Sequence, residues 1–221
     1  MMLSLPIAWP FFWHQQLPDA NELVLGFDGD MALSPGTSKT LWENIHLGMA
    51  VRRKGEMKFV GRGFQMRTID YGRGPKLSSV IPWGDLNTAY WQTNIPNICV
   101  YIPFSGSKLE ILLFPLVKLV MSIPFVPKRI VAKAAKIQGP NAGKRANKGV
   151  QVWCEIKNAS GKVVTASIEV PNGYTVAMDG IIMTADYLRD YQGKGGCFTP
   201  SQLMEHTLAE QLPGAASFKV L

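Results

Sequence analysis

The sequence is poor in the residues that build most metal and redox sites, with three cysteines and three histidines among 221 residues. Cys99, Cys154 and Cys197 are widely spaced and form no CxxC pair, so neither a zinc-ligand spacing nor a disulfide framework is indicated. Cys99 and Cys154 fall in apolar, strand-like runs and read as buried thiols of a reducing compartment. His14, His46 and His206 are scattered, and neither HExxH nor GxSxG occurs. A P-loop is missing too. Dinucleotide binding needs a strand, a GxGxxG turn and then a helix, so that amides at the helix start hold a pyrophosphate. Gly61-Arg62-Gly63 and Gly72-Arg73-Gly74 lack the third glycine, and Gly193 to Gly196 follows a helical pattern instead of a strand. No internal repeat is visible.

Long uninterrupted apolar runs are absent as well. The longest, Leu109 to Val126, is broken by Pro115, Lys118 and Pro124, whereas a spanning helix wants about 20 apolar residues. Met1 to Trp13 is apolar but has neither a basic start nor a small-residue cleavage site, unlike a signal peptide. A cytoplasmic protein, membrane-peripheral at most, is expected. Hydrophobic residues make up 47% and charged residues 18%, which suits an ordered globular core. The net charge of +7 is concentrated: residues 108–148 hold nine basic residues and one acid, or +8. The other 14 basic and 15 acidic residues leave −1 for the rest. A nucleic-acid binder would spread its basicity more widely, so no nucleic acid is expected. Lys128, Arg129, Lys133 and Lys136 would instead suit an anionic membrane surface, an acidic partner, or a plain solvated helix face.

Glu22 to Gly29, Leu77 to Trp83 and Asn97 to Ile102 read as strands. Met57 to Val60 and Phe64 to Ile69 suggest a hairpin about Gly61 and Gly63. Val150 to Lys157 and Lys162 to Val170 alternate as a second hairpin around Asn158 to Gly161. A helix is expected from Thr37 or Ser38, as N-cap, to about Ala50, and Lys108 to Ile137 reads as helix broken by prolines. Gln138 to Gly149 has the composition of a loop, making 108–149 an apolar, basic insertion. Tyr174 to Tyr191 reads as a helix with Val176, Ile182, Met183 and Leu188 on its apolar face, and Thr199-Pro200 opens a short last one. Strand and helix do not alternate. The fold class expected is α+β, a mixed, largely antiparallel sheet with helices on one face.

Two clusters carry polar chemistry. Gly63 to Tyr101 gathers Arg67, Asp70, Tyr71, Trp83, Asp85, Thr88, Tyr90 and Thr93 among prolines and glycines, as a pocket wall would. Equally, Trp83 could plug a core and Asp85 could cap the helix that starts near Leu86. In the second, Ser34 to Thr40, the amides of a helix start with Ser34, Thr37, Ser38 and Lys39 nearby are able to hold a carboxylate or phosphate, or to form a plain capping loop. No metal site is indicated.

SPGTSKT (34–40), IDYGRGP (69–75), IPWGDLNTAYWQTNIPNICVY (81–101), VWCEIKNASGKVV (152–164), GYTVAMDGIIMTADYL (173–188) and FTPSQLM (198–204) resemble the saccharopine-dehydrogenase-like oxidoreductases. That family includes the trans-acting enoyl reductases of lipid and polyketide synthesis. The resemblance spans roughly residues 13–213, so 13–221 is taken as one C-terminal-type domain, and residues 1–12 do not match. It implies a two-part enzyme, with a Rossmann domain for NAD(P) and an α+β domain that shapes the substrate pocket and often the dimer contact. This chain corresponds to the second part. It would bind no cofactor alone and would need a Rossmann partner or N-terminal half. Trp83, Gly84, Asp85, Thr88 and Tyr90 would face substrate by similarity, and a homodimer is implied. The alternative is a non-catalytic membrane-peripheral or protein-interaction module derived from such an enzyme.

Overall fold

The computed structural model describes residues 16–29, 34–61, 65–123, 125–134, 149–204 and 208–220. Among them, nine strands form one open, mostly antiparallel sheet: β1 (Ala20–Asp28), β2 (Met49–Arg53), β3 (Glu56–Val60), β4 (Arg67–Asp70), β5 (Pro75–Val80), β6 (Asn97–Pro103), β7 (Val150–Asn158), β8 (Val163–Val170) and β9 (Lys219–Val220). The spine runs β3-β2-β6-β1-β7-β8-β9. One edge of β6 is shared: Ile98 pairs with Arg52 of β2, and Tyr101 to Pro103 pair with β5, which carries β4 outward. Only β1 and β6 run parallel among the described pairs.

Side chains alternate across a strand, so each strand feeds both faces. On the first face Leu23, Leu25, Ile98, Val100, Ile156 and Ile168 meet Leu86 and Ala89 of α2 (Asp85–Thr93) and Val176 of α5 (Gly173–Arg189). Each such side chain contributes about 1.5–3 kcal/mol by leaving water. The opposite face packs Val51, Cys99, Tyr101 and Trp153 against Ile69 and Tyr71 from the β4–β5 hairpin and Phe114 of α3 (Lys108–Met121). Helices therefore lie on both faces, not on one as expected. The parity of β6 explains this: Ile98 and Val100 need one cover, Cys99 and Tyr101 another.

The remaining helices are α1 (Pro35–Asn44), which runs into a 3-10 turn (Ile45–Leu47), α4 (Phe125–Ala134), α6 (Pro200–Met204) and α7 (Leu208–Gln211). The N-cap of α1 lies three or four residues before the expected Thr37 or Ser38. Ser34 is the N-cap, accepting from the Thr37 amide at 3.1 Å, and Pro35 fills the first turn, where its missing N–H costs nothing. The expected break in the 108–137 helix follows Met121, before α4 starts at Phe125, while Pro115 is accommodated inside α3. The Ser107–Glu110 capping box satisfies the α3 start.

The hairpin expected about Gly61 does not form. Two hairpins stand in its place, turning at Lys54-Gly55 (φ +51° and +80°) and at 71–74, with Gly72 and Gly74 at φ +94° and +90°. Consecutive positive φ values match the twist of paired strands, and glycine takes them without strain. The β7–β8 hairpin forms as expected, with Gly161 at φ +86° and the Asn158 amide donating to the Lys162 carbonyl. The expected loop at 138–148 and the 1–12 segment lie outside the described residues.

Candidate functional site

Ile81 to Tyr101 folds as one loop–helix–strand unit, and a buried arginine that sequence reasoning missed holds it in place. Arg52 of β2, only 6% exposed, reaches across to α2. Its Nε donates to the Leu86 carbonyl at 2.7 Å, one terminal nitrogen to the Gly55 carbonyl at 2.5 Å, and the other to Asn87 Oδ1. The guanidinium carbon stands 4.2 Å from the centre of the Tyr90 ring. A planar fork suits three acceptors in this way, and a lysine would not. At the far side of α2, Gln92 Nε2 donates to Thr199 and Ser201 beside α6. Asn94 closes the helix in a left-handed conformation, and Asn97 ties β6 to β1 through the Asn21 carbonyl.

These contacts assign most of the expected site residues to the framework. Trp83 is half-buried against the first core, 6.3 Å from the Phe27 ring. Asp85 is wholly buried in the first turn of α2, where Gly84 occupies the N-cap position. Tyr90 lies beneath Arg52. Thr88 back-bonds to the Gly84 carbonyl at 3.4 Å. What α2 presents outward is the row Gly84, Asn87, Thr88 and Trp91, and the Trp91 ring is 75% exposed. Trp91 sits in the same motif as Trp83, and only the register of α2 distinguishes the outward tryptophan from the packed one.

Arg67 is not brought together with that row. It belongs to the opposite face, where it grips Glu155 through two hydrogen bonds of 2.7 and 2.5 Å and lies 5.2 Å from the centre of the Trp153 ring. The Glu155 hydrogen bond holds the Arg67 pKa above its usual value. Around this pair, the Tyr71 hydroxyl donates to Ser78 at 2.9 Å, and the Tyr101 hydroxyl donates to the Gln65 carbonyl at 2.9 Å. Burial pushes both phenols up to about 12, and it raises the Cys99 and Cys154 thiols as well. Such groups are poor proton donors and poor nucleophiles at neutral pH. Lys76 pairs with Asp28 at 2.7 Å, and Arg73 pairs with Glu169 at 2.8 Å on the rim.

No family model matches the chain, and no curated protein matches it. Among the described residues, no group of three or more His, Cys, Asp and Glu side chains is placed to hold a metal.

The expected anion site forms a closed cap. The Thr37 amide is taken by Ser34 Oγ and the Ser38 amide by the Ser34 carbonyl, while Lys39 points outward toward Glu43 at 3.9 Å. The Thr37 and Ser38 amides are therefore already used within the helix start.

Proposed function

We propose that this chain is the substrate-binding and dimerisation portion of a saccharopine-dehydrogenase-like, NAD(P)-dependent oxidoreductase, with the nucleotide held by a separate Rossmann segment. The observation that carries the reading is the 81–101 unit. The stretch with the strongest family resemblance is pinned at Arg52, Gln92 and Asn97, and keeps one row of α2 clear. Binding surfaces work best on such rigid supports. Gly84, Thr88 and Trp91 are the substrate-facing positions in this reading, and Trp83, Asp85 and Tyr90 set their placement. The missing GxGxxG supports placing the nucleotide on another segment in this reading.

Dimerisation is supported by the outward face of α5. Tyr174, Met178, Ile181, Ala185 and Leu188 recur at alternating spacings of four and three, the seam of paired helices, and Ile181 is 57% exposed. Two copies packed antiparallel about Ile181 and Ile182 set Asp179 opposite Thr184, and Asp186 opposite Ala177. A parallel pair would oppose Asp179, Asp186 and Arg189 with themselves, which repels. Aromatic, methionine and arginine side chains on this face also match the make-up of protein interfaces.

Calorimetric titration of the chain with NADPH and NADH is expected to show no binding, and micromolar affinity would refute the assignment of the nucleotide to another segment. Trp91 emission is expected to respond to a saccharopine-like amino acid or an enoyl thioester, and a Trp91→Phe control identifies the source. An unresponsive Trp91 with every candidate favours the non-catalytic alternative. Light scattering should find a dimer that Ile181→Glu converts to monomer with unchanged circular dichroism.

A further inference from the structure

α3 faces the wrong way for a soluble helix. Its inward side is short, with Phe114 and Met121 buried and Lys118 half-buried. The side turned to water is apolar. Nine large hydrophobic side chains between Leu109 and Phe125 are exposed, Leu112 at 73% and Leu119 at 67%. At about 100° per residue, the seven in α3 cover an arc of roughly 160° that holds only leucine and valine. Glu110 and Lys118 fall outside that arc. Ile123 and Phe125 continue the surface past the helix end, and Leu47 adds to it from the neighbouring 3-10 turn. A patch of this continuity marks an interaction site.

We propose that α3 and the start of α4 form an interfacial anchor that lies in the plane of an anionic lipid membrane. Three observations select lipid over protein. First, the arc has no hydrogen-bonding side chain to fix the register of a partner, and it lacks the aromatic, methionine and arginine residues that dominate protein contacts. Second, the segment 108–148 carries +8, so a second copy would bring like charge against like charge, whereas acidic headgroups gain from it. Lys108 and Arg129 are exposed at the two ends, and Lys128 and Lys133 belong to α4. Third, 14 residues make a helix of about 21 Å, too short for a hydrocarbon core of about 30 Å. No helix among the described residues is long and apolar enough to cross a membrane. The capping box pairs the Ser107 and Glu110 amides at the α3 start, which eases a side-on placement at the acyl boundary.

Flotation of the full chain with phosphatidylcholine vesicles, with and without phosphatidylserine, tests this. Wild type is expected to float with the phosphatidylserine vesicles, less with phosphatidylcholine alone, and to be partly released by salt. The Leu112→Glu/Leu119→Glu variant changes only solvent-facing positions. It should keep the native circular dichroism and reduce the bound fraction by about tenfold or more. Charge reversal at Lys128, Arg129, Lys133 and Lys136 should abolish the preference for phosphatidylserine. The proposal fails if wild type floats with neither vesicle, or if the leucine variant floats as well as wild type. It also fails if, without lipid, the leucine variant breaks an oligomer present in wild type, since a protein would then be the occupant.

Discussion

Arg52→Met is expected to cost about 3 kcal/mol of folding stability, and the figure follows from what each partner loses. Methionine keeps the aliphatic stem and the packing near Tyr90. It removes three hydrogen bonds from a charged donor, which singly contribute about 1.5–3 kcal/mol each. They do not add. The Leu86 carbonyl lies in the first turn of α2 and keeps its helical amide donor, while exposed Asn87 exchanges the guanidinium for water. The Gly55 carbonyl, half-buried at the β2–β3 turn, loses most, and the cation over the Tyr90 ring removes about 1 kcal/mol more. Against these stands the relief of no longer burying a charge. Urea unfolding followed by circular dichroism measures the total, and hydrogen exchange of α2 amides locates it. Arg52→Lys should fall between, since one ammonium cannot serve three acceptors in a planar fork. A loss below about 1 kcal/mol with unchanged α2 protection would refute the anchoring role of Arg52.

Alkaline stability offers a second test. Tyr71 and Tyr101 have folded pKa values raised to about 12 from about 10 when unfolded, so their contribution is complete below pH ~10 and is lost as pH rises toward ~12. Urea midpoints should therefore decline between pH ~10 and ~12, more gently in Tyr71→Phe, and equal slopes would count against the burial argument. Gly26→Ala should destabilise by about 1–3 kcal/mol, read by thermal unfolding. Its Cβ would stand 2.7 Å from Tyr71 Cε1, and that ring is tethered to Ser78. Finally, α3 and α5 pack on opposite faces of the sheet, so a two-fold dimer through α5 points its two α3 faces apart. Anionic vesicles should then aggregate with wild type, and Ile181→Glu should stop aggregation while flotation persists.

The sequence was legible where local chemistry decided the outcome. β1, β6 and the β7–β8 hairpin are short apolar runs between turn residues, and each forms where expected. The hairpin expected about Gly61 misled because glycines mark turns only when the flanking strands pair. Here Lys54 and Asp70 sit at better turning points, Lys54 taking a positive φ and the Asp70 carboxylate accepting the Gly72 and Gly74 amides. Arg52 and Arg67 look alike in sequence as basic residues of amphipathic strands. Only sheet order sends one across the β2–β3 turn to α2 and the other onto Trp153 on the opposite face. For the proposed site, composition pointed to 81–101, while the register of α2 decided that Trp83 packs on the first core and Trp91 faces water.

Hydrophobic periodicity locates a stripe and says nothing of what covers it. The expected apolar face of α5 joined Val176, Ile182, Met183 and Leu188, yet Val176 and Met183 face the first core while Ile182 and Leu188 face water. The error has a physical origin. A helix with apolar residues on two sides gives a blurred period, in which the packed stripe and the exposed one are not separated. α3 shows the stronger form of the same signal, a run so uniformly apolar that its proline and lysine interruptions were the main features to read. In both helices one stripe is satisfied by the sheet. The other stays exposed, an apolar surface that a partner covers in the readings proposed above. In those readings the composition of each stripe separates the two proposed partners. A seam of tyrosine, methionine and isoleucine at spacings of four and three has the geometry to recognise itself. A band of leucine and valine edged with lysine has no geometry to match and needs only a fluid apolar phase beneath a negative surface.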